Sequence, residues 1–475
     1  MNELIRLTAT EAVALLKKGD ITPLELLNAS IARIQEVEPM INALPIKCFD
    51  RARERASKIS DKAEKYQNHP GWIAGLPVAV KDLAHVAGVP TTMGGSPIFK
   101  NFVPEKSSYS VQNMENRGAV VVAKSNSPEF GFNATTYNTL WGYTNNPWDV
   151  TRSTAGSSGG SAASLAAGEV WLATGSDLGA SIRAPAAFCS IVGLRPTPGC
   201  VPRGPHPLPF NLLPVEGPMA RTVADVALML ENMTGKHHGD PISVDPVPGS
   251  YLKAIREPKT PKRIGFSLDL GITKVHPEVA ELVTQAAKRF ADMGVEVTDS
   301  CPDFSKAIKV FHGIRGTNHI AGMSVYMENN RELLTPEIVW SVENARKQTP
   351  DDIAWAERGR GELVQSTTKF FDEHDFLICP AAITPPFPNS WHSVEEIEGH
   401  RFQTYIDWIA ITFSVTLAAC PAISVPCGFT PEGLPVGLQI IGKPRCEADL
   451  LSAAVLFEEA VGLGKVTPID PKKPS

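Results

Sequence analysis

The sequence predicts an α/β fold, on three observations. Short apolar runs bounded by Gly, Pro or charge, at 76–80 and 119–123, have the length and flanks of buried strands. Segments with apolar residues at helical spacing, such as 277–293 with Val279, Leu282, Val283, Ala286 and Phe290 on one side, read as amphipathic helices. The two kinds alternate into the second half, which predicts one continued sheet and not a separate fold. Length alone would divide 475 residues into about three domains, and a composition 43% apolar allows a large core.

In chain order, residues 8–37 read as helical. Ala12, Leu15 and Leu16 share one face, and Leu24, Leu27, Ala32 and Ile34 continue the pattern after a break at Gly19-Asp20. Pro23 suits the first turn of the second piece. A charged helix is expected from 50 to about 67, which makes 1–67 a helical layer without chemistry of its own. Residues 161–168 read as a short helix of small residues and 170–174 as a strand. Residues 196–218 are proline-rich and carry Leu208, Phe210, Leu212 and Leu213; a pocket wall and inert packing fit them equally. A helix is expected at 222–233, with a Thr222–Asp225 capping box and Gly235 as its stop. The 236–262 stretch reads as a linker-like loop, its His237 and His238 solvated and not metal-bound. Strands are expected at 263–268, 295–297, 376–379 and 422–426, so that 263–475 extends the sheet.

Composition narrows the function classes. The net charge of −6 comes with scattered Lys and Arg and no basic stripe, which argues against nucleic acid. The eight cysteines contain no C-x-x-C pair and are too sparse for a disulfide framework, as expected of buried thiols in a reducing cytoplasm. The start has charges within its first turns and no signal-peptide core. The uncharged run 408–430 is long enough to question as a membrane span, yet Pro421 and Pro426 interrupt it, so a buried helix followed by a buried strand is expected. The expected partner is a small molecule, with no membrane and with a homodimer left open.

Residues 151–185 carry the densest chemistry. Two small-residue turns, Gly156-Ser157-Ser158-Gly159-Gly160-Ser161 and Asp177-Leu178-Gly179-Ala180-Ser181, flank a largely apolar segment. Backbone N–H groups converge readily where no side chain blocks the approach. A phosphate loop is excluded because no Lys-Ser or Lys-Thr follows the glycines, and the spacing does not give G-x-G-x-x-G. Ser181 falls where a strand gives way to a helix start, so the N–H groups of Leu178, Gly179, Ala180 and Ser181 are placed to cradle an oxyanion, worth about 3 kcal/mol per donor in hydrolases. Lys81 ends the 76–80 run. A lysine there ordinarily reaches for water; held inside instead, desolvation lowers its pKa and makes it a base.

Other motifs compete. Gly156-Ser157-Ser158-Gly159-Gly160 satisfies G-x-S-x-G, which would make Ser158 the nucleophile of an α/β-hydrolase esterase with His392 or His400 as base, but no upstream HGGG loop accompanies it. Ser250-Tyr-Leu-Lys253 matches S-x-x-K without its partner motifs. The eleven histidines form neither H-E-x-x-H nor a finger-type pair, so no metal and no cofactor are expected.

From Gly156 to Gly193 the chain resembles the amidase signature family, and the similarity extends to Gly75-Leu-Pro-Val-Ala-Val-Lys81-Asp82, Asn126-Ser-Pro-Glu-Phe-Gly131, Glu216-Gly-Pro-Met-Ala-Arg221 and Pro435-Val-Gly-Leu-Gln-Ile440. The resemblance covers nearly the whole chain. It implies a single large domain over 1–475, with a mixed, twisted β-sheet core covered by helices on both faces and a catalytic core at 68–235. It implies Ser181 as nucleophile, Ser157 as bridging serine on a cis Gly156–Ser157 peptide, and Lys81 as base. Ser158, Asp177 and Arg183 become supports of that triad. Gly156, Phe130, Leu208 and Phe210 are the expected substrate contacts.

The implied reaction is hydrolysis of a carboxylic amide, aryl or alkyl, with ester cleavage alongside. The other role in the family is that of the amidotransferase component that supplies ammonia from glutamine to a partner. The Tyr-rich, Lys/Arg-rich segment of those components finds no match, since 344–371 reads as charged helix. Where the family commonly has Gly-Gly-Ser, this chain has Gly179-Ala180-Ser181, and the Ala180 methyl is expected either to narrow the pocket or to resist a positive φ.

Overall fold

The computed structural model describes residues 1–59 and 66–473. Eleven strands make one mixed sheet: β1 Ile46–Lys47, β2 Pro77–Lys81, β3 Val120–Ser125, β4 Leu172–Asp177, β5 Val192–Arg195, β6 Val215–Ala220, β7 Arg263–Phe266, β8 Glu296–Asp299, β9 Phe376–Pro380, β10 Ala422–Phe429 and β11 Pro435–Gly442. Their spatial order is β1-β3-β2-β4-β6-β5-β10-β11-β9-β7-β8. Parallel pairs join β3 to β2, β2 to β4, β9 to β7 and β7 to β8. The centre from β4 to β9 is antiparallel. The second half thus continues the sheet, as the alternation predicted.

Both faces are covered, and the two-residue period of the strands shows it. Val78 and Val80 of β2 enter one core while Ala79 enters another. At the far end, Phe376 and Ile378 of β9 face the first core and Leu377 and Cys379 a third. A strand wet on one side would alternate with polar residues; these do not.

Local signals place the outer helices. Ala9–Lys18 starts at a Thr8–Glu11 capping box and stops at Gly19 in the left-handed region, and Pro23–Ile41 starts at Thr22. The helix expected at 50–67 runs Phe49–Ser57, and its extension over 60–65 falls outside the described residues. Residues 408–430 resolve into the buried helix Ala410–Leu417 and β10. Among the described residues no helix is long and apolar enough to cross a membrane.

Two local expectations need correction. Thr222 Oγ1 accepts from Asp225 N, but the Asp225 carboxylate does not return to its own helix start; it takes the Thr10 N–H at 2.8 Å. The capping box is half formed because a distant amide outcompetes the local one. The stretch 236–262 is not a free connector either. Its helix Ser250–Arg256 buries Tyr251 in the core, and the Glu231 carboxylate accepts from Tyr251 N at 3.0 Å. His237 stacks on Tyr109 with ring centroids 3.6 Å apart.

Candidate active site

Three strand or helix ends meet at one point. Lys81 is the last residue of β2, Ser158 caps the buried helix Gly159–Ala166, and Ser181 follows the end of β4 and precedes the helix Arg183–Cys189. The two small-residue turns are tied by Ser158 N donating to Ser181 O at 3.1 Å. Glycine is needed where the turn is hemmed in by backbone: a Cβ on Gly156 would stand 2.7 Å from Thr135 C, and one on Gly160 2.4 Å from Asn126 N. The Gly156–Ser157 peptide is cis.

Lys81 does not reach water. It is 2% exposed, and its Nζ donates to Ser157 Oγ at 2.6 Å, Ser158 Oγ at 2.8 Å and Ser176 Oγ at 3.0 Å. Burial pulls its ammonium from the ordinary 10.5 down to about 7, against the fields of Asp177 and Glu216, which hold it up. Half of such side chains are therefore neutral near pH 7. Glu216 shares a cavity lining with Ser157 and Ser181, takes the Ser110 hydroxyl, and is itself pushed up by burial.

Below the turn lies a buried charge cluster. Burial alone would raise the Asp177 carboxyl; Arg183 and Arg195 overcome that and hold it at about 2. Arg183 donates to Asp177 at 2.8 and 3.0 Å and to Gly179 O at 2.9 Å, and it reaches Gln439 Oε1 at 2.6 Å. One guanidinium therefore joins the Ser181 turn to β11 across the sheet.

Ser181 is half-buried at the floor of a cavity of about 500 Å3, and Ser157 lines the same cavity. Ser181 Oγ makes no hydrogen bond among the described residues, and neither do the N–H groups of Leu178, Gly179, Ala180 and Ser181. Free donors beside a free hydroxyl are what an acyl-transfer site requires. A volume of this size suits a small ligand.

The remaining expected contacts divide. Phe130 and Leu208 line the cavity. Gly156 is packed against Thr135 and does not line it, and Phe210 is 73% exposed and outside it. The proline-rich loop turns Leu208 inward and Phe210 out to solvent. Ala180 overturns both expectations attached to it. Its φ is not positive, and its methyl is fully buried in the core under the turn, away from the cavity.

Reading the sequence missed Ser176, whose hydroxyl joins Lys81, and the helix Ala307–Asn329, which walls the cavity with Phe311, Arg315, His319 and Tyr326. No turn residue or motif marks either. His392 bonds Tyr143 Oη at 3.3 Å and His400 is exposed, neither lines the cavity, and among the described residues no histidine bonds Ser158 Oγ, whose partners are Lys81 and Ser176. Among the described residues no group of metal-binding side chains occurs.

Comparison with known proteins identifies the family. Residues 25–451 match the family model described as Amidase. An acylamidase of Rhodococcus erythropolis is 34% identical over 474 residues, 99% of this chain and 97% of the relative. A glutamyl-tRNA(Gln) amidotransferase subunit from Synechococcus sp. (strain RCC307) is 34% identical over 472 residues, 94% of this chain and 95% of the relative. A bacterial aryl acylamidase of known structure, belonging to the amidase signature enzymes, superposes with a TM-score of 0.89 at 28% identity, covering 98% of this chain and 99% of that one. The chain is an amide-hydrolysing enzyme and belongs to the amidase signature family.

Proposed function

We propose that this enzyme hydrolyses small aryl or alkyl carboxylic amides through an acyl-enzyme on Ser181. The carrying observation is the buried Lys81, with a pKa lowered to about 7, whose Nζ lies 2.6 Å from the Oγ of Ser157, a residue that lines one cavity with Ser181. In the neutral amine that contact runs the other way, with the Ser157 hydroxyl donating to the Lys81 lone pair. Ser157 passes its proton to Lys81 and takes one from Ser181, whose oxygen forms a bond to the amide carbon. The carbonyl oxygen gathers negative charge and accepts from the N–H groups of the 178–181 turn. The relay returns the proton to the leaving nitrogen, the C–N bond breaks, and water then attacks the ester by the same relay. Esters are cleaved by the same route. The apolar wall of Phe99, Phe102, Phe130, Met323 and Tyr326 supports an aryl or alkyl substrate.

A second reading, ammonia supply from glutamine to a partner, draws on the equal identity to the amidotransferase relative. One assay separates the two. Wild type is expected to release 4-nitroaniline from 4-nitroacetanilide, Ser181→Ala is expected to lose that activity, and glutamine is expected to remain intact. Glutaminase activity with no anilide cleavage would reverse the assignment.

A further inference from the structure

The cavity holds a cation that the hydrolytic relay does not use. Phe311, Arg315, His319 and Tyr326 lie at helical spacing on one face of Ala307–Asn329 and all line the cavity. Arg315 is 5% exposed, yet no carboxylate among the described residues pairs with it. Of its five N–H donors one is used, to Tyr405 Oη at 2.7 Å. Its guanidinium is surrounded by Phe132, Tyr405 and Phe311, with ring centroids 5.8, 5.7 and 5.9 Å away. Asp407, a carboxylate of the same region, is taken by His312 Nε2 at 2.7 Å.

Arg183 shows how this fold treats a guanidinium meant only for structure. It too is buried, but Asp177, Gly179 O, Thr412 O, Thr416 and Gln439 accept from it. A buried cation left without a counter-ion is costly unless something else supplies the charge. Beside it, His319 faces the cavity with no hydrogen bond among the described residues, and burial with the neighbouring Arg315 keeps its imidazole well below 6.5 and neutral. A fixed cation and a neutral imidazole one turn apart suit a carboxylate, with bidentate pairing to the guanidinium.

We infer that Arg315, with His319, forms a subsite for a carboxylate carried by the amide substrate. This rests on the hydrolase reading above. Phe311 places the subsite relative to the chemistry, because its Cζ would stand 3.7 Å from a Cβ on Gly179 in the turn beside Ser181. Arg315 follows Phe311 by four residues, about 6 Å along the helix axis. The preferred substrates are therefore amides whose acyl or amine portion ends in a carboxylate a few bonds from the scissile carbonyl.

The test compares matched substrates. Glutaryl-4-nitroanilide and pentanoyl-4-nitroanilide differ by a carboxylate on the acyl side; 4-acetamidobenzoate and 4-methylacetanilide differ by one on the amine side. The readout is the ratio of kcat/KM within each pair, so a general loss of activity cancels. In Arg315→Gln the ratio is expected to fall about 10- to 100-fold in one pair, through KM, and to recover in part in Arg315→Lys. The pair affected tells which side carries the charge. Unchanged ratios in both pairs overturn the inference. Calorimetric binding of glutarate to wild type and to Arg315→Gln needs no turnover. Binding lost in the variant supports the subsite even if no anilide is cleaved, and equal binding, or none to wild type, overturns it.

Discussion

Lys81 Nζ stands 2.6 Å from Ser157 Oγ, at the end of a strand buried on both faces. No carboxylate is bonded to that amine among the described residues; three serine hydroxyls surround it. The contact joins a proton acceptor poised near neutrality to a hydroxyl in the cavity that holds Ser181.

Activity should titrate with Lys81. The base form is the neutral amine, so kcat/KM is expected to rise about tenfold per pH unit below 7 and to level off above it, following the value of about 7. Lys81→Ala is expected to lose at least about 10³-fold in kcat, a size seen when one member of such a triad is removed. A pH–rate profile on an anilide checks both. A plateau reaching down to pH 5 would contradict the assignment.

The same group makes stability depend on pH. Between about 7 and 10.5 the unfolded chain holds the Lys81 proton and the folded chain does not, so this contribution to stability rises with pH, by about 1.4 kcal/mol per unit. Denaturation of wild type and Lys81→Met at pH 7 and 9 is expected to show the difference between them shifting in favour of wild type at the higher pH.

Asp177 compensates two buried guanidiniums, and one of them holds Gly179 O. Asp177→Asn leaves both charges without their carboxylate and is expected to cost about 3–5 kcal/mol. Because the folded carboxyl sits at about 2, its contribution is present above the unfolded value near 3.9 and is lost only as pH falls from there through about 2. Urea titrations of the variant, and of wild type down the acid limb, measure both effects.

Ala180→Gly is expected to leave the preference between bulky and small acyl groups within about twofold, since the methyl lies in the core and not in the cavity. It is expected to lower stability by about 1 kcal/mol through backbone entropy and the lost methyl. Rate ratios on acetyl and hexanoyl anilides, together with a melting curve, decide.

The proline-rich loop offers an internal control. Leu208→Ala is expected to raise KM several-fold for an apolar anilide, and Phe210→Ala to leave kcat and KM within about twofold, because only the first side chain lines the cavity. Equal effects would place both side chains at the substrate.

How far the residues alone disclosed this molecule follows from what carries periodicity. The runs at 76–80 and 119–123 are buried on both faces, so unbroken apolar sequence marked β2 and β3 directly. β5 was silent because Gly193 and Arg195 interrupt it, and the Arg195 side chain is held by tertiary contacts with Asp177 that no local pattern announces. The helix Ala307–Asn329 carries three glycines and shares its apolar residues between two cores and the cavity, so no single stripe identified it. Lys81, Ser157 and Ser181 were singled out through the family resemblance, whereas Ser176 was not, since a lone serine near the end of β4 carries no pattern. Leu208 and Phe210 lie on an irregular loop, where spacing does not tell inward from outward.

The most direct test of the Ser181 reading is reaction with a fluorophosphonate, followed by intact mass and peptide mapping. The predicted result is one adduct, on Ser181, absent in Ser181→Ala and formed far more slowly in Lys81→Ala. An adduct on Ser158 or Ser157, or none in the folded wild-type protein, would contradict it.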